Sequence, residues 1–343
     1  MTVLQVLTAF GVLQGVGLNT ESLSRDDLDP AATFPDEETT GIISPAEELT
    51  VVSTTAAFNT PGQVVQNFRF QNWVSVNAPN VTFINCMFEG PTETAGFQKA
   101  LVTCTNIGVS NLIVKDCTFR AQAPTSGVAG ILGHDFSVIR CRFSHVVDAV
   151  DPAVKSGSTD VNVTIRGCWV DQLAFFSPDP YHPSSTDNKS HDDGVQASGG
   201  RNIIIEYNRI ECFYATDVGD ALEPSVDDGT THISGNTYYP NLAGTSCIIM
   251  SNITYPPGAL IVRGNWLDGG AVGINLSGST ASFLDPDDPA VIVGNRFGTG
   301  FRLGSDFGIM KKSSQYATVE GNMRWNKSNP WDDTVPFNTI KAG

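Results

Sequence analysis

The feature that most restricts the fold is a phrase that keeps returning along the chain: an alternating apolar run, then Cys or Asn, then another apolar or aromatic residue two places on. It occurs nine times, as NVTFINCMF (80), NLIVKDCTF (111), DFSVIRCRF (135), NVTIRGCWV (162), NIIIEYNRI (202), TTHISGNTY (230), ALIVRGNWL (259), AVIVGNRF (290) and ATVEGNMRW (317). The shared position holds Cys86, Cys117, Cys141, Cys168, Asn208, Asn236, Asn265, Asn295 and Asn322, at spacings of 31, 24, 27, 40, 28, 29, 30 and 27 residues. A second phrase, a small residue followed by an apolar one, precedes it in most units: AGIL (129), DAVD (148), DGVQ (193), DALE (220), VGIN (272) and FGIM (307) are examples. Alternation with period two marks strands, and its return about every 30 residues without a helical run between marks a solenoid. A single unit buries one face and cannot close a core, so units stack at about 4.8 Å and equivalent residues lie above one another.

The expected fold is therefore all-β, a parallel β-helix of about nine or ten coils spanning 61–330. Residues 1–60 form an N-terminal attachment or capping arm and 331–343 a C-terminal cap. The four cysteines of the shared column should stack as small apolar thiols and pass into a file of asparagines whose amides bond along the axis. The remaining cysteines bring the total to seven, which fits neither a paired disulfide framework nor a CxxC metal site, so reduced, buried thiols are expected. The opening MTVLQVLTAFGVLQGVGLNTES has no Lys or Arg before its apolar part and reads as mature structure, an amphipathic helix with Leu4, Leu7, Phe10 and Leu13 on one side.

Charge excludes one class of partner. The formal net charge is −16 and the 20 Lys and Arg form no basic cluster, so nucleic acid is repelled rather than gathered. No uninterrupted apolar stretch is long enough to span a membrane.

Two clusters carry candidate chemistry. Aligning the second phrase puts Asp148, Asp193 and Asp220 in one column and Asp151, Gln196, Glu223 and Asn275 in another three residues on. The later column faces away from the core beside the inward Val150, Val195, Leu222 and Ile274. Two rungs separate Asp151 from Glu223 by about 9.6 Å, near the separation of an inverting glycosidase pair, with Gln196 between. The competing reading is structural: an Asp at a strand's start bonds the backbone of its turn. The longest interval, 40 residues, holds FFSPDPYHPSSTDNKSHDD (175–193), a loop in which Phe175, Phe176, Tyr181, His182 and His191 offer surfaces for stacking sugars and Asp192 and Asn188 offer hydrogen bonds. Its competing reading is a turn whose aromatics pack on the coil. The acidic stretches SVDDGT (225) and FLDPDDPA (283) lack the ligand spacing of a calcium loop, so neither metal nor cofactor is expected.

The coil that reads HDDGVQ, then GG, then NIIIEYNRI resembles the right-handed parallel β-helix of the pectin-lyase-like superfamily over about residues 60–330. That group includes pectate and pectin lyases, polygalacturonases and the tailspike and minor tail proteins of bacteriophages, and its coil motif specifies fold better than activity. The resemblance is greatest to the phage tail proteins. It implies a virion component made in the host cytoplasm, a homotrimer that recognises host cell-surface glycans and joins other tail proteins through its arm. The rival expectation is a polysaccharide hydrolase or lyase using Asp151, Gln196 and Glu223, or His191, Asp192 and Asp193. Asp192 and Asp193 are similar to the DDC pair of polygalacturonases, but Gly194 stands where that motif has cysteine, and GHG and RIK are absent. A secreted surface β-helix is a third alternative, in which Asn80, Asn162, Asn188, Asn252 and Asn326 match glycosylation acceptors.

Overall fold

In the computed structural model, residues 12–13, 25, 28–92, 99–176, 179, 190–213, 246–277, 287–313 and 316–342 are described. They form a right-handed parallel β-helix with three faces. One face is a sheet of ten strands, from Thr50–Val52 and Phe68–Phe70 through Arg142–Ser144 and Trp169–Val170 to Met323–Arg324. The other two faces merge into one hydrogen-bonded system of 18 strands, because Val195–Glu206 and Ser246–Arg263 run unbroken around the corner between them. Every strand pairing within these sheets is parallel and joins one turn to another. The only helical turn among the described residues is the 3-10 segment Ala46–Glu48.

The shared Cys/Asn position forms a single internal file. The Cys86 N–H donates to Cys117 Sγ at 3.3 Å, Cys141 N–H to Cys168 Sγ at 3.4 Å, and Cys168 N–H to Asn208 Oδ1 at 2.8 Å. From there the side chains are amides. Asn208 donates through both its backbone N–H and Nδ2 to Asn265 Oδ1, each at 2.9 Å, and Asn265, Asn295 and Asn322 repeat the pattern down to Asn338. Each amide nitrogen also reaches back to a carbonyl of the previous turn, as Asn265 Nδ2 does to Ile205 O at 2.9 Å. The chain turns a corner at this point, so the backbone N–H cannot join a sheet ladder. A buried N–H must find an acceptor, and the side chain of the next turn supplies it. All seven cysteines are buried and free.

The residue before this file makes the corner. Asn67, Asn85, Asp116, Arg140, Gly167, Tyr207, Gly264, Gly294 and Gly321 all have φ between 50° and 64°. Gly, Asn and Asp tolerate that conformation at little cost, which explains the recurring GN, NC and DC pairs. Beyond the file, Phe70, Phe88, Phe119 and Phe143 stack ring on ring, with centroids 5.3, 4.7 and 4.5 Å apart. Burying each such ring contributes about 2–3 kcal/mol. Opposite them the third face keeps its residues small: a Cβ added at Gly273 would lie 3.0 Å from Phe297 Cδ1, and one at Gly194 would lie 2.4 Å from Ile210 Cγ2.

Three expectations change. Asn236 and its phrase lie outside the described residues, and no turn stands between Asn208 and Asn265: Ile203 pairs directly with Leu260, and the file crosses 57 residues of sequence in one step. Alternation is a local signal, whereas backbone pairing sets the order of turns. At the other end, Thr50 pairs with Phe68 and Arg69 with Met87, which adds turns only 18 residues long before the first cysteine. Finally, Val12–Leu13 is a strand parallel to Val64–Val65 rather than part of a helix, pairing with an edge that a solenoid end otherwise leaves open. Leu4, Leu7 and Phe10 lie outside the described residues.

Residues 28–49 and 330–333 pack on the outer wall of the ten-stranded sheet. Residues 28–49 run back along it as a strap against the direction of winding. Phe34 meets Trp266 edge-on at 5.2 Å, Glu37 pairs with Arg142 at 3.3 Å, Ile42 N–H donates to Thr118 Oγ1, and the N–H groups of Ile43 and Ser44 donate to Asn85 Oδ1. From the other terminus, Trp331 packs on Trp266, Pro330 O accepts the Trp266 indole N–H at 2.7 Å, and Ile340–Ala342 adds a strand beside Ile309–Lys311.

Candidate functional site

The stacking of the third face is weakest at one place. Val150–Pro152 meets the next turn through a single residue pair, Val150 with Val195, and the 40-residue interval leaves the coil here. The neck of that excursion is closed by two hydrogen bonds, Ser190 N–H to Phe176 O and Phe176 N–H to Ser190 Oγ, both 2.9 Å. Beyond the neck, buried Asp179 accepts Ser126 Oγ at 2.6 Å, which ties the excursion to an earlier turn.

Four carboxyls gather at the break. Asp148, Asp192 and Asp193 are buried, and Asp151 is half-buried with its Oδ1 shut away from solvent. The register puts Asp148, Asp193 and Ser246 in one column, and their bonds confirm it: Asp193 N–H donates to Asp148 Oδ1 at 2.8 Å, and Ser246 N–H donates to Asp193 Oδ1 at 2.5 Å. Asp148 and Asp193 thus do accept backbone N–H groups, as the structural reading expects, but from the next turn rather than from their own. Asp151 and Gln196 stand one residue past the buried Val150 and Val195, on the outward side of the strand.

The position after Gln196 differs from the expected one. Gln196 pairs with Ile249, and Ile249 with Asn275, so Ile249 occupies the site two rungs from Asp151. Glu223 and Asp220 lie outside the described residues, as do Tyr181, His182 and Asn188. Of the binding residues inferred for the loop, Phe175 is instead buried in the core, where it offers no surface to a sugar, Phe176 is half-buried at the neck and His191 is exposed just beyond it, next to the acids. Gly194 could not hold the cysteine of a DDC motif, since its Cβ would collide with Ile210 and the Cys247 carbonyl.

Electrostatics make the cluster chemically unusual. Burial pushes the Asp148 carboxyl up to about 7 despite the Asp193 N–H that favours its ionised form. Burial, then the neighbouring charge of Asp148, raises Asp151 well above the ordinary carboxylate range. Burial, then Asp148, Asp192 and Asp151, does the same to Asp193. Carboxyls crowded in this way cannot all ionise, so part of the cluster holds protons near neutral pH. Such a group can donate a hydrogen bond or act as a general acid.

Other residues singled out in the sequence are occupied structurally. Asp288 binds Arg201 at 2.5 Å and the Ala259 N–H at 2.8 Å. Asn80 accepts Asn111 Nδ2 at 3.0 Å, Asn162 Nδ2 donates to Asp135 at 2.8 Å, and Asn202 Nδ2 donates to Asn162 at 2.9 Å, forming an outer ladder along another corner. No group of three or more His, Cys, Asp or Glu that could hold a metal ion occurs among the described residues. No helix among them is long and apolar enough to cross a membrane.

One column escaped sequence reasoning. On the outer wall of the ten-stranded sheet, Arg142, Trp169, Arg209, Trp266 and Arg296 stand in register. The guanidinium of Arg142 lies 4.2 Å from the Trp169 ring centre, Arg209 lies 4.5 Å from it on the other side, and Arg296 lies 5.1 Å from Trp266. The signal was legible as the residue after each Cys or Asn in CRF, CWV, NRI, NWL and NRF. Strap and tail cover this column, with Arg209 also over Phe34 and Arg296 over Trp331. The acid cluster is therefore the candidate site. No family model and no curated protein matches the sequence.

Proposed function

We propose that the protein is a glycan-recognition β-helix of the pectin-lyase-like kind, similar in role to phage minor tail and tailspike proteins, and that it binds host-surface polysaccharide at the Asp148–Asp193 break. One observation carries the reading: the point of the third face where only Val150 and Val195 pair is where buried carboxyls, the exposed His191 and the neck of the 40-residue, aromatic-bearing interval meet. A solenoid holds such a loop rigidly while leaving its sequence free to fit a ligand. In this role the chain works as a homotrimer within a virion, joined to other tail proteins through residues near its N-terminus.

A second reading, a polysaccharide hydrolase, is favoured by one specific observation, the Asp148 carboxyl held at about 7 beside further acids. In that case a protonated member of the cluster protonates the leaving oxygen and an ionised one activates water. Both readings are tested by incubating the chain with a panel of bacterial polysaccharides and measuring retention and reducing-end release. Retention without release supports recognition alone. Release abolished by Asp151→Asn together with Asp193→Asn supports hydrolysis, and neither retention nor release refutes both. Mass analysis in solution tests the trimer, and a monomer refutes it.

A further inference from the structure

Two of the three cysteines outside the shared file, Cys212 and Cys247, meet inside the coil. Cys212 ends the strand Arg209–Cys212 of the ten-stranded sheet, and Cys247 lies at the start of Ser246–Arg263, on the third face of the next turn. Cys212 Sγ is 3.4 Å from Ser246 O, Cys247 Sγ is 3.6 Å from Ile210 O, and the two thiols hydrogen-bond to each other. Gly194 keeps the space beside them clear, since a Cβ there would lie 3.3 Å from Cys212 Sγ.

The following turn shows what this corner requires. There Gly269 stands beside Cys212 and Gly273 falls beside Cys247, and residues 270–272 alone join them. In the turn of Cys212 the same corner is spanned by residues 213–246. A covalent link between the two thiols would hold this corner as the short connection holds the next. The file cysteines are placed differently. Cys86, Cys117, Cys141 and Cys168 stack on successive turns with near-parallel side chains at about 4.8 Å, wider than the Cβ separation of about 3.8 Å that a disulfide favours. Their sulfurs are also engaged, Cys117 Sγ accepting the Cys86 N–H and Cys168 Sγ the Cys141 N–H. Cys212 and Cys247 instead approach from two faces of the coil.

We infer that Cys212 and Cys247 form a disulfide that closes this turn when the chain folds in an oxidising environment. The step is exchange with a small-molecule disulfide such as glutathione disulfide. One cysteine thiolate attacks it and expels a glutathione thiol; the second attacks the mixed disulfide and expels another. The Cys212–Cys247 bond forms, and two electrons pass from the protein to glutathione. Both thiols are sealed in the finished fold, and burial, then the neighbouring Cys247, pushes the Cys212 thiol well up, so the exchange belongs to folding, before the turn closes.

The test refolds the full chain from denaturant in a glutathione redox buffer and, in parallel, in dithiothreitol. Each sample is then unfolded, alkylated and digested without reduction for mass analysis. The glutathione sample should carry five labels, seven cysteines less the bonded two, and yield a linked peptide joining Cys212 to Cys247. Closing a loop of about 36 residues should also lower its unfolding equilibrium constant by roughly 30-fold or more, a difference between buffers that Cys247→Ala abolishes. Seven labels, or bonds only between other cysteines, overturns the inference. A Cys212–Cys247 bond that leaves the denaturation midpoint unmoved, or a difference that persists in Cys247→Ala, overturns its role in closing the turn. The mass measurement uses the native chain, so it decides the matter even where Cys247→Ala fails to fold.

Discussion

Replacing Asp148 with asparagine should change how stability depends on pH. The Asp148 carboxyl sits at about 7 in the fold against an ordinary 3.8, so the folded chain holds this proton more tightly than the unfolded chain. An acid raised in this way contributes stability that is complete below its unfolded value and is lost as pH rises through its folded value. At about 1.4 kcal/mol per tenfold difference in proton affinity, the penalty is about 2 kcal/mol at pH 5 and about 4 kcal/mol at pH 8, a loss of about 2 kcal/mol. The carboxamide oxygen of the substituted side chain would still accept the Asp193 N–H, so the ladder survives while the titration disappears. Denaturant unfolding followed by tryptophan fluorescence, at pH 5, 6, 7 and 8, should show Asp148→Asn gaining on the native chain by about that amount across the window. Removing the Asp148 charge also relieves the upward push on Asp151 and Asp193, which adds to the variant's gain at high pH in the same direction. Parallel curves would refute the burial of an ionisable group at this corner.

The remaining expectations follow from packing. Gly194→Ala should destabilise the chain by about 1–3 kcal/mol, because its Cβ would press within 2.4 Å of Ile210 Cγ2; a melting temperature equal to native would contradict the close approach of the two faces. Asn295→Ala removes the acceptor for the Asn265 N–H groups together with the donor to Val262 O, and should cost about 2–4 kcal/mol by calorimetry or denaturant midpoint. Phe34→Ala should loosen the strap, costing about 2 kcal/mol and exposing residues 28–44 to limited proteolysis while the coil stays resistant; unchanged cleavage would show that the strap is held elsewhere.

Much of this fold was legible because stacking forces equivalent positions to solve the same problem. Cys86, Cys117, Cys141 and Cys168 share a column since each fills the same small space, and Asn265, Asn295 and Asn322 since each must accept the N–H above it. The early turns escaped notice because Thr50 and Phe68 occupy that column without Cys or Asn. The phrase around Asn236 misled for the opposite reason: it has the local alternation, but the turns adjoining Asn208 and Asn265 pair with each other. The same step removed Glu223 from the rung beyond Gln196 and put Ile249 there, so the acid pair drawn from spacing gave way to a cluster centred on Asp148 and Asp193. The covering of the Arg and Trp column could not be read from pattern at all, since the strap has no alternation and its contacts lie at sequence separations as long as the 105 residues between Glu37 and Arg142 and the 291 between Phe34 and Trp325.

The strap also fixes the order in which the molecule can be completed. Phe34 leaves the ribosome 232 residues ahead of Trp266 and 291 ahead of Trp325, the indoles that receive it. A vectorially synthesised chain must therefore wind its tube first, with the leading segment waiting unseated. Contacts of such sequence separation form late and slowly. Closure of this latch reports that the last turns are in place, so the accessibility of Phe34 is a direct clock for maturation of the whole solenoid.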